Sequence, residues 1–354
     1  MWDTTNPGAT CPTTWPERAE RVEWLCAVRS WGDSTNPGAL SRDEGATRYT
    51  NPFTMIERIT ILGTGLIGSS VGLALRSHGF TGSIAGWDPD SEQLATALSL
   101  GAITVSADDP LTAAAASDLI LLGGPVFTIL DWLNRLAPIL SEHQLVTDVG
   151  SVKGAICAHS RGKYNGTNAD GSRQPGFLPG HPMAGKEVSG AANADESLFL
   201  GSVWLFTNVI LSEAKDLAVS PAITHLLAAE WRNWVAKFGC RILDLDPERH
   251  DTLCAWISHL PQFVSTAMSA LLEDEFAANA DLLPIGGRAL REMTRLGASP
   301  FSMWRDIAHT NSDAIAHALH ALEQRLAHIR ENLKTPELRE EFDRANQFRH
   351  RTPR

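Results

Sequence analysis

"GTGLIGSSVG", residues 63–72, decides the fold. It holds Gly63-x-Gly65-x-x-Gly68, preceded by the apolar run "RITILG" and continuing into "LIGSSVGLALRSHG", whose patterning predicts a strand and then a helix. In that setting the glycines have separate tasks. Gly63 takes a tight turn, Gly65 lets a pyrophosphate approach the backbone, and Gly68 lets helix and strand pack closely. Gly63, Gly65, Leu66, Ile67 and Gly68 then face the phosphates at a helix N-terminus, where free N–H groups and the helix dipole favour an anion. Twenty positions after Gly68 the second strand, "SIAGWD", ends in Asp88, whose carboxylate accepts hydrogen bonds from a ribose and repels a 2′-phosphate. This predicts NAD as the cofactor.

Outward from the loop, strands and helices alternate. "SEQLATALSLG" reads as a helix with Ser91 as N-cap, and "DLILLGGP" and "LVTDVG" are apolar runs of the kind a parallel sheet buries on both faces, separated by the helical "VFTILDWLNRLAPIL". "SVWLFTNVIL" and "CRILDL" are expected to extend that sheet, with "AITHLLAAEWRNWVAKFG" as the intervening helix. Beyond about residue 246 the spacing of apolar residues becomes helical, and Pro261 is expected to kink the first long helix beside His259. The fold class is therefore α/β: a doubly wound parallel sheet of Rossmann type at residues 55–245, then an all-helical substrate and dimerisation domain at 246–335. Residues 1–54, rich in Pro, Gly, Thr and Asn and repeating "TNPGA", read as a poorly ordered extension, with Met55 the expected native start; residues 336–354 read as a solvated tail.

Composition narrows the partners. The chain has 354 residues, 43% of them hydrophobic and 20% charged, and a formal net charge of −11, which argues against general attraction to nucleic acid or an anionic membrane. A small anionic substrate then needs a local basic pocket. Five widely spaced cysteines (Cys11, Cys26, Cys157, Cys240, Cys254) form no CxxC pair, which predicts neither a disulfide framework nor a zinc site and fits a reducing cytoplasm. No run approaches the ~18 apolar residues of a membrane span, and the amino terminus lacks the apolar core of an export signal.

The loops at the carboxyl ends of the strands should line the reaction site. They carry Gly123, Gly124 and Pro125, then Ser151 and Lys153 in "DVGSVKG", then His181 in the glycine-rich "GHPMAGKEVSG", read as an irregular turn. Ser151 either caps the next helix or faces substrate; Lys153 is either solvated or lines the site. In the helical half, Arg288, Arg291 and Arg295 share one face if the segment is helical, making either a solvated basic face or a carboxylate clamp. His250 and His259 stand nine positions apart without an HExxH motif, so no metal site is expected there, and His259 is either a core histidine or a site residue.

Taken in order, "ILGTGLIGSS", "DVGSVKG", "GHPMAGKEVSG", "HDTLCAWISHLP" and "GGRALREMTRLGASPFSMWRDI" resemble the prephenate/arogenate dehydrogenase family of tyrosine biosynthesis. The resemblance runs from Met55 to about Leu333. It implies an NAD-dependent oxidative decarboxylation of prephenate to 4-hydroxyphenylpyruvate, or of arogenate to tyrosine, by a homodimer joined through its helical half. It makes His181 the catalytic group facing the C4 hydroxyl, Ser151 a hydrogen-bond partner of that hydroxyl and of His181, and Arg295 the holder of a substrate carboxylate. His259, Gln262 and Lys153 complete the substrate end. Where many members have a histidine after SHLP this chain has Gln262, which can hydrogen-bond the ketone of prephenate or the amino group of arogenate. The inserts "AHSRGKYNGTNADGSRQPG" and "SEAKDLAVS" are expected to be surface loops. A different class of protein, a catalytically silent NAD-binding sensor, is the alternative; retention of Ser151, His181 and Arg295 argues against it.

Overall fold

A computed structural model describes residues 55–207, 223–276 and 285–351. The expectations for residues 1–54, the whole "SEAKDLAVS" insert and the last three residues fall outside these. β1 (Arg58–Leu62) is followed by α1 (Leu66–Ser77), β2 (Ser83–Trp87), α2 (Ser91–Ser99), β3 (Val105–Ser106), α3 (Pro110–Ala115), β4 (Leu119–Leu122), α4 (Val126–Leu136), β5 (Leu145–Asp148), α5 (Gly154–Ser160) and β6 (Gly176–Leu178). The strands make one parallel sheet in the order β3-β2-β1-β4-β5-β6, so the chain winds outward both ways from the gap between β1 and β4. Asp90, not Ser91, caps α2: its carboxylate accepts from the N–H groups of Glu92 and Gln93, one residue earlier than the serine the sequence suggested.

The alternation of strand side chains fills two cores. Ile59, Ile61, Leu119 and Leu121 point to the face covered by α1 and by α6 (Ile223–Lys237), while Leu62, Ile120, Leu122 and Val146 point to the face covered by α4. Ala255, Ile307 and Ile315, from the helical half of the chain, join this second core. Sheet and helices therefore share apolar packing, which holds the strand ends against the residues that follow 246.

The segments expected to widen this sheet form a second one. β7 (Gly180–Pro182), β8 (Val203–Phe206) and β9 (Arg241–Asp244) pair in that order, β7 antiparallel to β8 and β8 parallel to β9. The cause lies at Pro179, which has no N–H for the ladder: β6 stops at Leu178, and the Pro179 carbonyl accepts instead from Thr207 beyond β8. His181 thus sits in a strand, not in the irregular turn its glycines suggested.

The helical half comprises α7 (Pro247–Cys254), a π-helical turn (Ala255–His259), α8 (Leu260–Phe276), α9 (Arg288–Thr294), α10 (Phe301–Thr310), α11 (Ser312–Glu331) and α12 (Glu337–Arg351). Pro261 cannot donate to the preceding turn, and the helix accommodates this by widening: the Leu260 N–H reaches back five residues to the Ala255 carbonyl. The stretch read as a solvated tail is exposed but helical, tied to α11 by Arg325–Glu341. Among the described residues no helix is long and apolar enough to cross a membrane, and Cys157, Cys240 and Cys254 are free and buried.

Candidate active site

The glycine loop has the three features its sequence predicts. Gly63 has φ +104°, and a Cβ there would come within 2.9 Å of the Gly123 backbone; a Cβ on Gly68 would collide with the Gly63 carbonyl oxygen. Around Gly65 there is open space instead. Gly65 is the N-cap of α1 and supplies no side-chain cap, and the first turn carries no acidic residue, so its N–H groups point into a cradle that an anion fits. Asp88 closes the loop from β2, accepting from Thr64 N at 2.8 Å and from Asp90 N at 3.0 Å. Pro125, after Gly123 and Gly124, is the N-cap of α4 at the neighbouring strand end. Leu66 and Ile67 are half-buried in the first turn of α1.

The second part of the site starts from Asp148 at the end of β5. Its carboxylate pairs with Lys153 and accepts from Gly150 N at 2.9 Å and Gly180 N at 3.1 Å. Lys153 is neither solvated nor a lining residue, because its side chain is fully buried on this ion pair. The pair fastens the loop that carries Ser151 to the start of β7. Ser151 itself is half-buried in that loop and caps no helix: the first N–H groups of α5, on Lys153 and Gly154, are taken by the Asp251 carboxylate at 2.7 and 2.8 Å.

Asp251 links this end to the histidines. Its Oδ1 lies 2.8 Å from His250 Nδ1, and His250 Nε2 lies 2.9 Å from His181 Nδ1, so a buried chain runs Asp251–His250–His181. A carboxylate oxygen only accepts, so His250 Nδ1 carries a proton; in a neutral ring its Nε2 then accepts, and His181 Nδ1 must donate. The remaining nitrogen of His181, Nε2, is left with its lone pair. Burial is the main cause that holds His181 well below the ordinary histidine pKa, with His250, Lys153 and His259 adding to it. His250 is lowered by burial as well, against an opposing pull from Asp251. Cys254, one helical turn after His250, lies 3.6 Å from His250 Nε2, and burial pushes its thiol up to about 12.

The remaining candidates fall into two groups. His259 is fully buried: Nδ1 is 3.3 Å from the Asn311 side chain, Trp304 meets the ring edge-on, and Nε2 has no hydrogen-bond partner among the described residues. Gln262, expected to meet substrate, has its amide engaged within the protein. Its Nε2 donates to the Leu296 carbonyl at 2.7 Å, and its Oε1 accepts from Ser299 Oγ at 3.1 Å. It braces the turn that begins at Arg295. The arginines do not form one helical row, since α9 ends at Thr294 and Arg295 opens a 3-10 turn; Arg295 pairs with Glu187, Arg288 pairs with Glu292, and Arg291 is exposed.

Sequence reasoning placed His181 in the site but missed its partners. The sequence marks His250 only by its distance from His259, and nothing in it marks Asp148, Asp251 or Glu187. The one local signal was the four-residue spacing of His250 and Cys254, which puts both on one face of α7.

Residues 71–229 match the family model "Prephenate dehydrogenase, nucleotide-binding domain", and residues 246–347 match "Prephenate dehydrogenase, dimerization domain". The chain is 31% identical over 266 residues to a prephenate dehydrogenase of Bacillus subtilis, covering 74% of this chain and 66% of the relative. Among solved structures it is similar to prephenate dehydrogenase from A. aeolicus in complex with hydroxyphenyl propionate and NAD+, at 27% identity and a TM-score of 0.69, covering 83% of this chain and 98% of that one. It is similar as well to Synechocystis arogenate dehydrogenase, at 27% identity and a TM-score of 0.62, covering 83% and 99% of the two chains.

Proposed function

The chain belongs to the prephenate dehydrogenase family, and on that premise we propose that it oxidises prephenate with NAD+ to 4-hydroxyphenylpyruvate and CO2. The observation that carries this reading is the chain Asp251–His250–His181, which leaves a bare imidazole nitrogen on β7, the strand that Asp148 holds at the end of β5, while β1 of the same sheet as β5 ends in a nucleotide cradle.

NAD+ supplies the hydride acceptor when it is bound. Gly65, Leu66 and Ile67 hold its pyrophosphate at the N-terminus of α1, and Asp88 receives the ribose hydroxyls. His181 Nε2 takes the C4 hydroxyl proton as the hydride leaves C4. The electron pair of the C1–carboxylate bond then enters the ring as CO2 departs, and the C4 oxygen recovers a proton as a phenol. A neutral His181 is the form this task needs, and burial maintains it. Ser151 shares the hydroxyl with His181. Arg295 takes a substrate carboxylate, which displaces Glu187 from it. The enzyme acts in the cytoplasm as a homodimer joined through the helices after residue 246, for which a dimer mass in light scattering is the check.

Nicotinamide absorbance, followed with prephenate and arogenate offered separately with NAD+ and then NADP+, tests the reading. Reduction of NAD+ with prephenate is expected. Reduction only with arogenate would move the substrate, and reduction with neither while NAD+ still binds would favour a silent sensor.

A further inference from the structure

We propose that His181, His250 and Cys254 form a binding site for a borderline-soft divalent transition ion such as Zn2+, whose occupation switches the catalytic histidine off. Among the described residues these three offer His181 Nδ1, His250 Nε2 and Cys254 Sγ within 4.8 Å of one another, all buried.

The spacing suits one ion. The edges of the donor triangle are 2.9 Å between the nitrogens and 3.6 and 4.0 Å from sulfur to each nitrogen. Tetrahedral zinc with its usual bond lengths to imidazole and thiolate spans edges of ~3.3–3.6 Å. The two rings need only part by a few tenths of an ångström. Two nitrogens with one sulfur select zinc, cobalt or copper over magnesium or calcium. An outer partner is in place: His250 gives its other N–H to Asp251, the carboxylate–histidine arrangement that orients metal-bound imidazoles. The nearest cation, Lys153, is paired with Asp148.

Coordination changes no oxidation state. Cys254 gives its thiol proton to the buffer as the metal–sulfur bond forms. His181 stays neutral: its single ring proton moves from Nδ1, which the metal takes, to Nε2, the atom that should receive the substrate's proton. The hydrogen bond between the histidines is exchanged for two metal–nitrogen bonds, and the base is blocked. The inhibitory half of the proposal rests on His181 being that base; the binding half does not.

The test uses full-length protein freed of metal by dialysis against a chelator, with no nicotinamide present. One equivalent of Co2+ should produce a thiolate-to-cobalt charge-transfer band with the visible bands of a tetrahedral ion, and Zn2+ should abolish both. In turnover assays Zn2+ should inhibit and chelator should restore activity. Cys254→Ala should turn over like the unmodified protein without metal, show no charge-transfer band, and need at least ~10-fold more Zn2+ for the same inhibition, since losing a direct ligand exceeds the ~10–100-fold effect of losing an outer partner. Cys254→Ser, closer in size, is read in the same way if the alanine variant does not fold. No band in the unmodified protein, or an equal band in Cys254→Ala, would overturn the site. A normal band with undiminished turnover would overturn the switch.

Discussion

The glycine loop is held by its own residues and by the ends of β2 and β4, the two strands paired with β1, whereas the His181–His250 link joins β7 to a helix 69 positions further along the chain. Both parts serve one reaction, and they differ in what a substitution does to them. The loop is a shape: its function is the space left at Gly65 and the collisions avoided at Gly63 and Gly68. The histidine chain is an ordering of protons, in which each donor is fixed by the acceptor before it. A loop can fail by being filled; a proton chain fails when one acceptor is lost, even where the volume is unchanged.

The largest expected effect separates the two. His181→Asn should lower kcat by at least ~10²-fold while leaving NAD+ affinity by calorimetry nearly intact. Near-normal turnover in this variant would remove His181 from the chemistry. His250→Gln acts through His181 and should cost ~10-fold or more in kcat with KM little changed; a rise in KM alone would make His250 a packing residue.

Within the loop, two glycines sharpen the comparison. Gly65→Ala fills open space at a residue whose backbone tolerates a side chain, so thermal stability should stay within ~0.5 kcal/mol while NAD+ affinity falls by ~10-fold. Gly68→Ala drives a methyl into the Gly63 carbonyl and should cost ~1–3 kcal/mol of stability in denaturant titrations. The reverse pattern would mean that the cradle lies elsewhere.

The last prediction concerns His259. Burial pushes its pKa down to about 4, opposed by Asp251 and assisted by His250, against an ordinary value of 6.5. Between those values the unfolded chain holds a proton that the folded one does not. Stability from this group is complete above the unfolded value and is lost as pH falls, by up to ~1.4 kcal/mol per pH unit inside the window. Urea titrations across this range should show a shallower pH slope for His259→Asn than for the unmodified protein, and equal slopes would contradict the assignment.

The same contrast explains what the sequence made legible. Gly63, Gly65, Gly68 and Asp88 announce themselves because turn, cradle and strand end are set by spacing alone, and the runs at β4 and β5 announce a sheet buried on both faces. His181 was legible through its motif, its partners were not. Nothing in the order of residues says that α7 returns to β7, or that Lys153 gives up solvent to pair with Asp148 in the same loop. Gln262 looked like a substrate ligand because amides bond many groups; the fold uses it on Leu296 and Ser299. Pro179 carried the signal that the sheet ends at β6, and its meaning depends on a partner, Thr207, that lies well beyond it.

The central claim is that Asp251, through His250, holds the proton of His181 on Nδ1 and leaves Nε2 bare. Nitrogen NMR of histidine-labelled, metal-free protein near neutral pH reads this directly. The account predicts a neutral His181 with its proton on Nδ1; a proton on Nε2 would contradict it.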